Sequence, residues 1–460
     1  MSKDRLTFTL MDMGYKKSGP VQIYDERTCY DGVVNENGDP LIIPFPAQLA
    51  IVTHALMLKN KSHGAIYQSK ADELIDAWTN STLPGKLHFD CSIASEPLSP
   101  FQRSLFEDVM DVPFPGPENP KFSFIDLFAG IGGFRMAFQN LGGQCVFSSE
   151  WDAQAQKTYF ANYGEVPFGD ITSEQTKQFI PDNFDILCAG FPCQAFSLAG
   201  KRLGFEETRG TLFFDVAEIL RRKQPKAFFL ENVKGLAIHD KGKTLKTILN
   251  TLDEIGYTVI PPQIVNAMYF GVPQHRERIY IVGFRKDLGI KPEDFSYPEQ
   301  KEVTTHFIDI REKDSVPSKY YLSTTYVDTL IRHKARHESK GNGFGYAIVG
   351  DDEVANAIVV GGMGRERNIV IDTRQTDLTP TTRIKGEYNK DGWRRMTPRE
   401  WGALQGYPVY DNGDGSPVFQ IPVADASAYK QFGNSVAVPA IQATAQQLLK
   451  VLSDKKILSL

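Results

Sequence analysis

Between residues 121 and 284 the chain repeats one pattern: a short apolar run, a loop marked by glycine or proline, then a stretch with helical spacing. Few folds accommodate that rhythm. FSFIDLF (122–128), CVFSSE (145–150), FDILCAG (184–190), AFFLENV (227–233) and RIYIVGF (278–284) have the length of buried strands. GFRMAFQNL (133–141) and LFFDVAEILRR (212–222) carry the 3.6-residue apolar period of helices. Strand and helix in alternation predict an α/β fold, a mostly parallel sheet with helices on both faces. Such sheets hold their ligands beyond the carboxyl ends of the strands, so the residues that follow each run are the ones to inspect.

The rhythm also divides the chain. DVPFPGPENP (111–120) suits neither helix nor central strand, so residues 1–120 are expected to form an N-terminal extension ending in a proline-rich linker. Helical spacing recurs there at 46–59 and 70–79, without a motif of recognisable chemistry. Residues 121–285 form the predicted α/β domain. Residues 286–395 turn polar and glycine-rich, most of all at 341–350 and 361–367, and read as a smaller, loop-rich domain. Residues 396–460 regain a helical period in PAIQATAQQLLKVL (439–452), expected to pack back onto the sheet.

Composition excludes several classes. No stretch approaches the roughly 20 apolar residues of a membrane span, and MSKDRLTFTL lacks the apolar core of a signal peptide, so a soluble, cytoplasmic protein is expected. Five cysteines (Cys29, Cys91, Cys145, Cys188, Cys193) form no CxxC pair, which argues for reduced thiols and against a metal site. The net charge of −5 means that any nucleic-acid contact must come from local clusters of Arg and Lys.

Chemistry concentrates at the ends of the apolar runs. FIDLFAGIGGF (124–134) breaks from strand to helix through Gly130, Gly132 and Gly133, either as a plain tight turn or as a cradle for a cofactor. The spacing is not GxGxxG, which disfavours a nicotinamide-dependent enzyme. Glu150 and Trp151 close the next strand, where a carboxylate suits ribose hydroxyls and an indole suits adenine, or where both serve as cap and rim. Asp170 follows another loop and suits an exocyclic amine. In DILCAGFPCQAFSLAGKR (185–202), Cys188 sits within the apolar run as a core residue, whereas Cys193 follows Pro192 at the mouth of the sheet, where a nucleophile would stand. Glu231 ends AFFL, a desolvated position that raises a carboxyl pKa and suits a general acid, a cap or an ion-pair partner. Arg276 and Arg278 in QHRER (274–278) share one face of an extended segment and suit phosphate, a base carbonyl or ion pairs.

Taken in order, FIDLFAGIGGF, EW, GDI, GFPCQAFS, RGTLFF, ENV, QHRER, RRMTPRE and QFGNSVAVP resemble the blocks of the DNA (cytosine-5) methyltransferases over nearly all of residues 122–448. The resemblance implies an S-adenosylmethionine-dependent, Rossmann-like catalytic domain. It implies a cofactor site of Phe128, Gly130, Gly132, Gly133, Glu150, Trp151, Asp170, Ile171, Pro192, Leu212 and Asn434. It also implies Cys193 as nucleophile on cytosine C6, Glu231 at N3 and Arg278 at the O2 region of the base, with Arg276 on backbone phosphate. Gln194, Ser197, Lys201 and Arg202 would belong to a loop closing over flipped DNA. The loop-rich domain would be the target recognition domain, with Arg365, Arg367, Arg374 and Arg383 as candidates for guanine or phosphate contacts. The expected substrate is double-stranded DNA, the expected state a monomer, and a cognate restriction endonuclease the expected functional companion. Two other readings stand beside it: methylation of a tRNA cytosine by the same chemistry, and, for residues 1–110, a DNA-binding autoregulatory or partner-binding module.

Overall fold

A computed structural model of the chain describes residues 45–58, 67–68, 70–71, 112–192, 212–343, 345–361, 364–376 and 386–459. The central sheet contains β1 (Phe122–Leu127), β2 (Gly143–Ser149), β3 (Ile186–Gly190), β4 (Ala227–Val233), β5 (Tyr257–Val259), β6 (Gln263–Asn266) and β8 (Glu277–Arg285), preceded by the two-residue β7 (Gln274–His275). Its order is β2-β1-β3-β4-β8-β5, with β6 also on the outer edge of β8. The four strands β2, β1, β3 and β4 run parallel, joined through helices α2 (Gly133–Gln139), α3 (Ala153–Tyr163) and α4 (Leu212–Lys223). The sheet is mostly parallel as expected, and RIYIVGF is where it reverses, because β8 is antiparallel to β4, β5 and β6. Helix α5 (Lys243–Glu254) carries the chain from β4 to β5, a crossover that leaves β5 aligned with β4, and β8 fills the gap between them in the opposite sense.

Alternation along each strand sorts residues onto two cores. Phe124, Cys188, Phe229, Tyr280 and Val282 face one side with α2, while Ile125, Leu127, Leu187, Phe228 and Ile281 face the other. Against the first face pack α7 (Pro398–Leu404), α8 (Asp425–Asn434) and α9 (Val438–Asp454), and α9 lies along α2, so the C-terminal segment does return to the sheet. Between them run α6 (Thr324–Glu338), β9 (Ala355–Asn356), β10 (Ile369–Ile371) and β11 (Trp393–Arg395).

Two boundaries read from composition are less sharp in three dimensions. Helix α1 (Phe45–Met57) lies against the second face of the sheet, where Leu49, Ala50, Ile51, Val52, Tyr67 and Ala71 join Val146, Phe147 and Phe168 in one core. Thr53 Oγ1 accepts the Val166 N–H at 2.9 Å, and Tyr67 Oη lies 3.1 Å from the carbonyl of Val146. The proline-rich stretch is itself pinned, since Gln139 Nε2 donates to the carbonyls of Phe114 and Pro115. Prolines exclude regular structure, but they leave open what the preceding segment packs against; here it covers an apolar face beside the edge strand. Likewise, the 286–395 segment owns two small clusters, Leu322/Val327/Leu330/Ile369 and Val316/Tyr321/Tyr388, but lends Phe307, Val349, Ala355, Ile358 and Val370 to the catalytic core.

Candidate active site

The candidates gather at the carboxyl end of the parallel strands. The glycine turn leaves β1 through Phe128 (φ 56°), Gly130 (φ 56°) and Gly132 (φ 83°) before α2 begins. The glycines serve different purposes. A Cβ at Gly130 would meet nothing within 4 Å, so this position faces open space. A Cβ at Gly132 would strike the Tyr163 ring at 2.3 Å, and one at Gly133 would meet Val436 at 2.6 Å. Those two glycines therefore let the helix start seat closely against the protein, and Tyr163 Oη donates to the Gly132 carbonyl at 2.9 Å.

Glu150 ends β2 and braces the turn. Its carboxylate accepts the Gly130 N–H at 2.9 Å and the Asp152 N–H at 2.8 Å, and burial pushes its pKa up against those donors. Each oxygen keeps a lone pair for a further donor. The next residue, Trp151, is 77 % exposed, an anomaly for an indole that leaves its face free to stack. Ile171 is buried beside Asp170, whose carboxylate accepts the Thr172 N–H and remains exposed. Pro192 is exposed at the end of the segment from β3, Leu212 is half-buried at the start of α4, and Asn434 is exposed at the end of α8. Contacts across Gly133 bring the segment after Asn434 to this rim: Ser435 Oγ is 2.7 Å from Tyr407 Oη, and both border Gly133.

The second half of the site lies one strand further. Glu231 is paired across β3 with Gly190 and shares its sheet face with Arg278, whose Nε approaches Glu231 Oε1 at 3.1 Å. Burial raises the Glu231 pKa, with Arg278 and then Arg276 opposing the rise. A Cβ at Gly190 would sit 3.8 Å from Glu231 Oε2, 3.7 Å from Val436 and 3.6 Å from Phe134. The carboxylate, the cofactor-side helix and the strand leading to Cys193 thus meet at one glycine. Asn232, which the sequence reading passed over, donates to the Phe191 carbonyl at 2.8 Å and fixes the exit of β3. Its signal was available: a buried amide in a strand interior, facing the side opposite Glu231. Tyr407 and Gln405 left no such local signal, because their partners lie about 30 residues away in sequence.

Two expectations need correction. Arg276 is only 2 % exposed, and its guanidinium donates to the carbonyls of Ile358 (3.0 Å), Gly433 (3.3 Å) and Ser435 (2.6 Å). Pointing inward and occupied by carbonyls, it has no face to offer a phosphate. Arg374 is likewise committed, to Asp372 and to the carbonyls of Glu312 and Lys313, so it is no candidate for base reading. Arg365 and Arg367 are exposed, Arg365 lying over the Tyr429 ring at 5.3 Å. Cys193, Gln194, Ser197, Lys201, Arg202 and Arg383 lie outside the described residues.

With this geometry in hand, comparisons with known proteins are specific. The family model of C-5 cytosine-specific DNA methylases matches residues 122–450. The chain is 67 % identical over 367 residues to the Type II methyltransferase M.HpaII of Haemophilus parainfluenzae, covering 79 % of this chain and 98 % of that protein. It is 43 % identical over 404 residues to M1.ScrFI of Lactococcus lactis subsp. cremoris (87 % and 94 % covered), and 40 % over 339 residues to M.HhaI of Haemophilus parahaemolyticus (72 % and 95 %). Among solved structures, the S. pombe Dnmt2 methyltransferase superposes with a TM-score of 0.52 at 20 % identity, covering 72 % of this chain and 99 % of that one. At that identity the likeness bears on the fold alone.

Proposed function

The chain belongs to the C-5 cytosine-specific DNA methylase family, and from that premise we propose a division of labour among its residues. It is a sequence-specific DNA (cytosine-5) methyltransferase of the restriction-modification kind. The RNA alternative is not favoured, since its curated relatives are Type II methyltransferases. S-adenosylmethionine, when bound, supplies an electrophilic methyl group.

Phe128, Gly130, Glu150, Trp151, Asp170, Ile171, Pro192, Leu212 and Asn434 hold the cofactor. The residues present suit it: open space at Gly130, a braced carboxylate with spare acceptor capacity at Glu150, and an exposed indole at Trp151. Gly132 and Gly133 act indirectly, by seating the helix that follows. The observation that carries the reading is Glu231, a buried carboxyl with a raised pKa, bridged to Arg278 at the strand end beside Gly190.

Cytosine C5 is a poor nucleophile until C6 is attacked. The Cys193 thiolate adds to C6 while Glu231 gives its proton to N3, and the electron pair so placed on C5 takes the methyl group. Loss of the C5 proton then expels the thiolate, returns the ring's double bond, and lets N3 release its proton. Arg278 holds the base at O2 and keeps the Glu231 carboxyl in place. The base must leave the duplex to reach them, at a cost of a few kcal/mol, and Gln194, Ser197, Lys201 and Arg202 close over it. The segment 286–395 reads the site, with Arg365 and Arg367 as its exposed cations. We place the enzyme in the cytoplasm, acting as a monomer and protecting DNA from an endonuclease of the same specificity.

The test is to incubate the purified protein with labelled S-adenosylmethionine and unmethylated genomic DNA, and to map modified cytosines by bisulfite sequencing. One sequence context with a single methylated cytosine is expected. Incorporation into RNA alone, or no incorporation by a cofactor-binding protein, would overturn the reading.

A further inference from the structure

Arg276 is expensive where it stands. Its guanidinium is buried and faces no carboxylate within ion-pair distance among the described residues, and its Nε has no acceptor there. Burying a cation without a counter-ion costs far more than burying a neutral residue of similar volume, so stability alone does not explain it. What the fork provides is reach. One nitrogen donates to Ile358, just past β9 in the recognition segment, and the other to Gly433 and Ser435, the two residues that bracket Asn434.

Two glutamines complete the same joint. Gln274 accepts the Ile358 N–H at 3.0 Å and donates to the Leu404 carbonyl at 2.8 Å. Gln405 donates to the carbonyls of Phe432 (2.8 Å) and Ser435 (3.2 Å). Ile358 is therefore held at both its N–H and its carbonyl, and Ser435 carries two donors on one oxygen. A side chain at Gly433 would strike Val360 at 2.7 Å, so the two segments also touch directly. Arg276 stands two residues before Arg278, and its own N–H is fixed by Asn266 Oδ1 at 3.1 Å. Any shift of the strand end that carries Arg278 is passed to Asn434 on one side and to the recognition segment on the other.

We infer that Arg276 is a positioning residue that couples DNA binding to cofactor binding, by locking the base-site strand end, the Asn434 rim and the Ile358 segment into one rigid unit. The inference rests on the proposed methyltransferase reading. Coupling of this kind is reciprocal: whatever factor DNA contributes to cofactor affinity, the cofactor contributes to DNA affinity.

The experiment is calorimetry on the full chain, measuring the Kd of S-adenosylhomocysteine alone and with a saturating duplex that carries the mapped site. The wild type should bind at least tenfold more tightly with DNA present. Arg276→Lys keeps the charge but loses the fork; it should bring that ratio below threefold, while the Kd without DNA changes less than threefold. A merely structural role would lower Tm and leave the ratio intact, which would overturn the inference, as would a wild-type ratio near one. Should the variant not fold, amide exchange in the wild type decides: DNA alone should slow exchange across 433–438 by about tenfold, and unchanged exchange would overturn the inference. Absence of S-adenosylhomocysteine binding by the wild type would overturn the functional reading itself, and the inference with it. Failure of the inference alone leaves that binding and methylation intact.

Discussion

Asp126 and Asp372 are both aspartates at 1 % exposure, one beneath the glycine turn and the other in the 286–395 segment, and their electrostatics are opposite. Asp126 stands on β1 facing α2 with no hydrogen-bond donor on either oxygen. Burial pushes its pKa up to about 8 in spite of nearby Arg135. Asp372 is buried too, but Arg374 and Arg394 bond to its carboxylate and hold its pKa well below the usual range. The contrast extends to their surroundings. The sheet half is a large apolar core holding three carboxyls of raised pKa, Asp126, Glu150 and Glu231, although Arg278 bridges Glu231 and two backbone N–H groups bond Glu150. The 286–395 segment has small apolar clusters, and a chain of paired charges within it and onto α7 includes Arg394 with Glu400 and Asp372, Arg399 with Glu312, and Arg395 with Glu366. At Asp126 burial outweighs the nearby cation and the carboxyl stays protonated to higher pH, whereas at Asp372 the bonded arginines outweigh burial.

Four measurements sharpen or break that contrast. The largest effect belongs to Cys193→Ser, which should retain cofactor and DNA binding while turnover falls by roughly 10⁴-fold or more. Residual turnover within a hundredfold of wild type would remove the nucleophile from the mechanism. Next is Glu231→Gln, expected to lower kcat/KM by about 10²–10⁴-fold. The raised pKa keeps Glu231 protonated to higher pH, so wild-type kcat/KM should fall on the alkaline side as that proton is lost. The pH profile of the variant should lack this descending limb, and its persistence would assign the limb elsewhere.

In the paired network, Arg394→Met leaves Glu400 buried without its ion-pair partner and Asp372 with Arg374 and Arg311. It should destabilise the protein by about 3–5 kcal/mol in denaturant titrations, with cofactor affinity nearly unchanged. A loss below 1 kcal/mol would show the network to be dispensable. The last effect, from Asp126→Asn, depends on pH. A carboxyl whose pKa rises from 3.8 to about 8 on folding binds more protons folded than unfolded, so it costs stability progressively as pH climbs from about 4 to about 8. Asn removes that cost, so the variant should gain stability at pH 8 and little at pH 4. Equal shifts at both pH values would mean that Asp126 is ionised in the folded protein. Asp372, with a lowered pKa, works with the opposite sign: its contribution is present above about pH 4 and is lost as pH falls further.

The order of strands and helices and the clustering of the candidate residues at the strand ends were legible in the chain. Each follows from local periodicity: 3.6 for helices, 2 for strands, and glycine where the backbone must turn sharply. The antiparallel sense of β8 was not legible, because an apolar run has the same composition in either direction. Nor was the docking of α1, since an apolar helix face announces burial without naming its partner.

Arginine is the residue on which sequence and tertiary structure part most clearly. Sequence by itself determined the α/β fold and the family, because those depend on residue type and short-range spacing. Only the tertiary structure decided that Arg278 meets Glu231, that Arg374 is spent on Asp372, and that Arg276 turns inward to carbonyls 82 to 159 residues away. A guanidinium can bond phosphate, carboxylate or carbonyl, so its role is set by which acceptor the fold brings within about 3 Å, a fact that no local pattern contains.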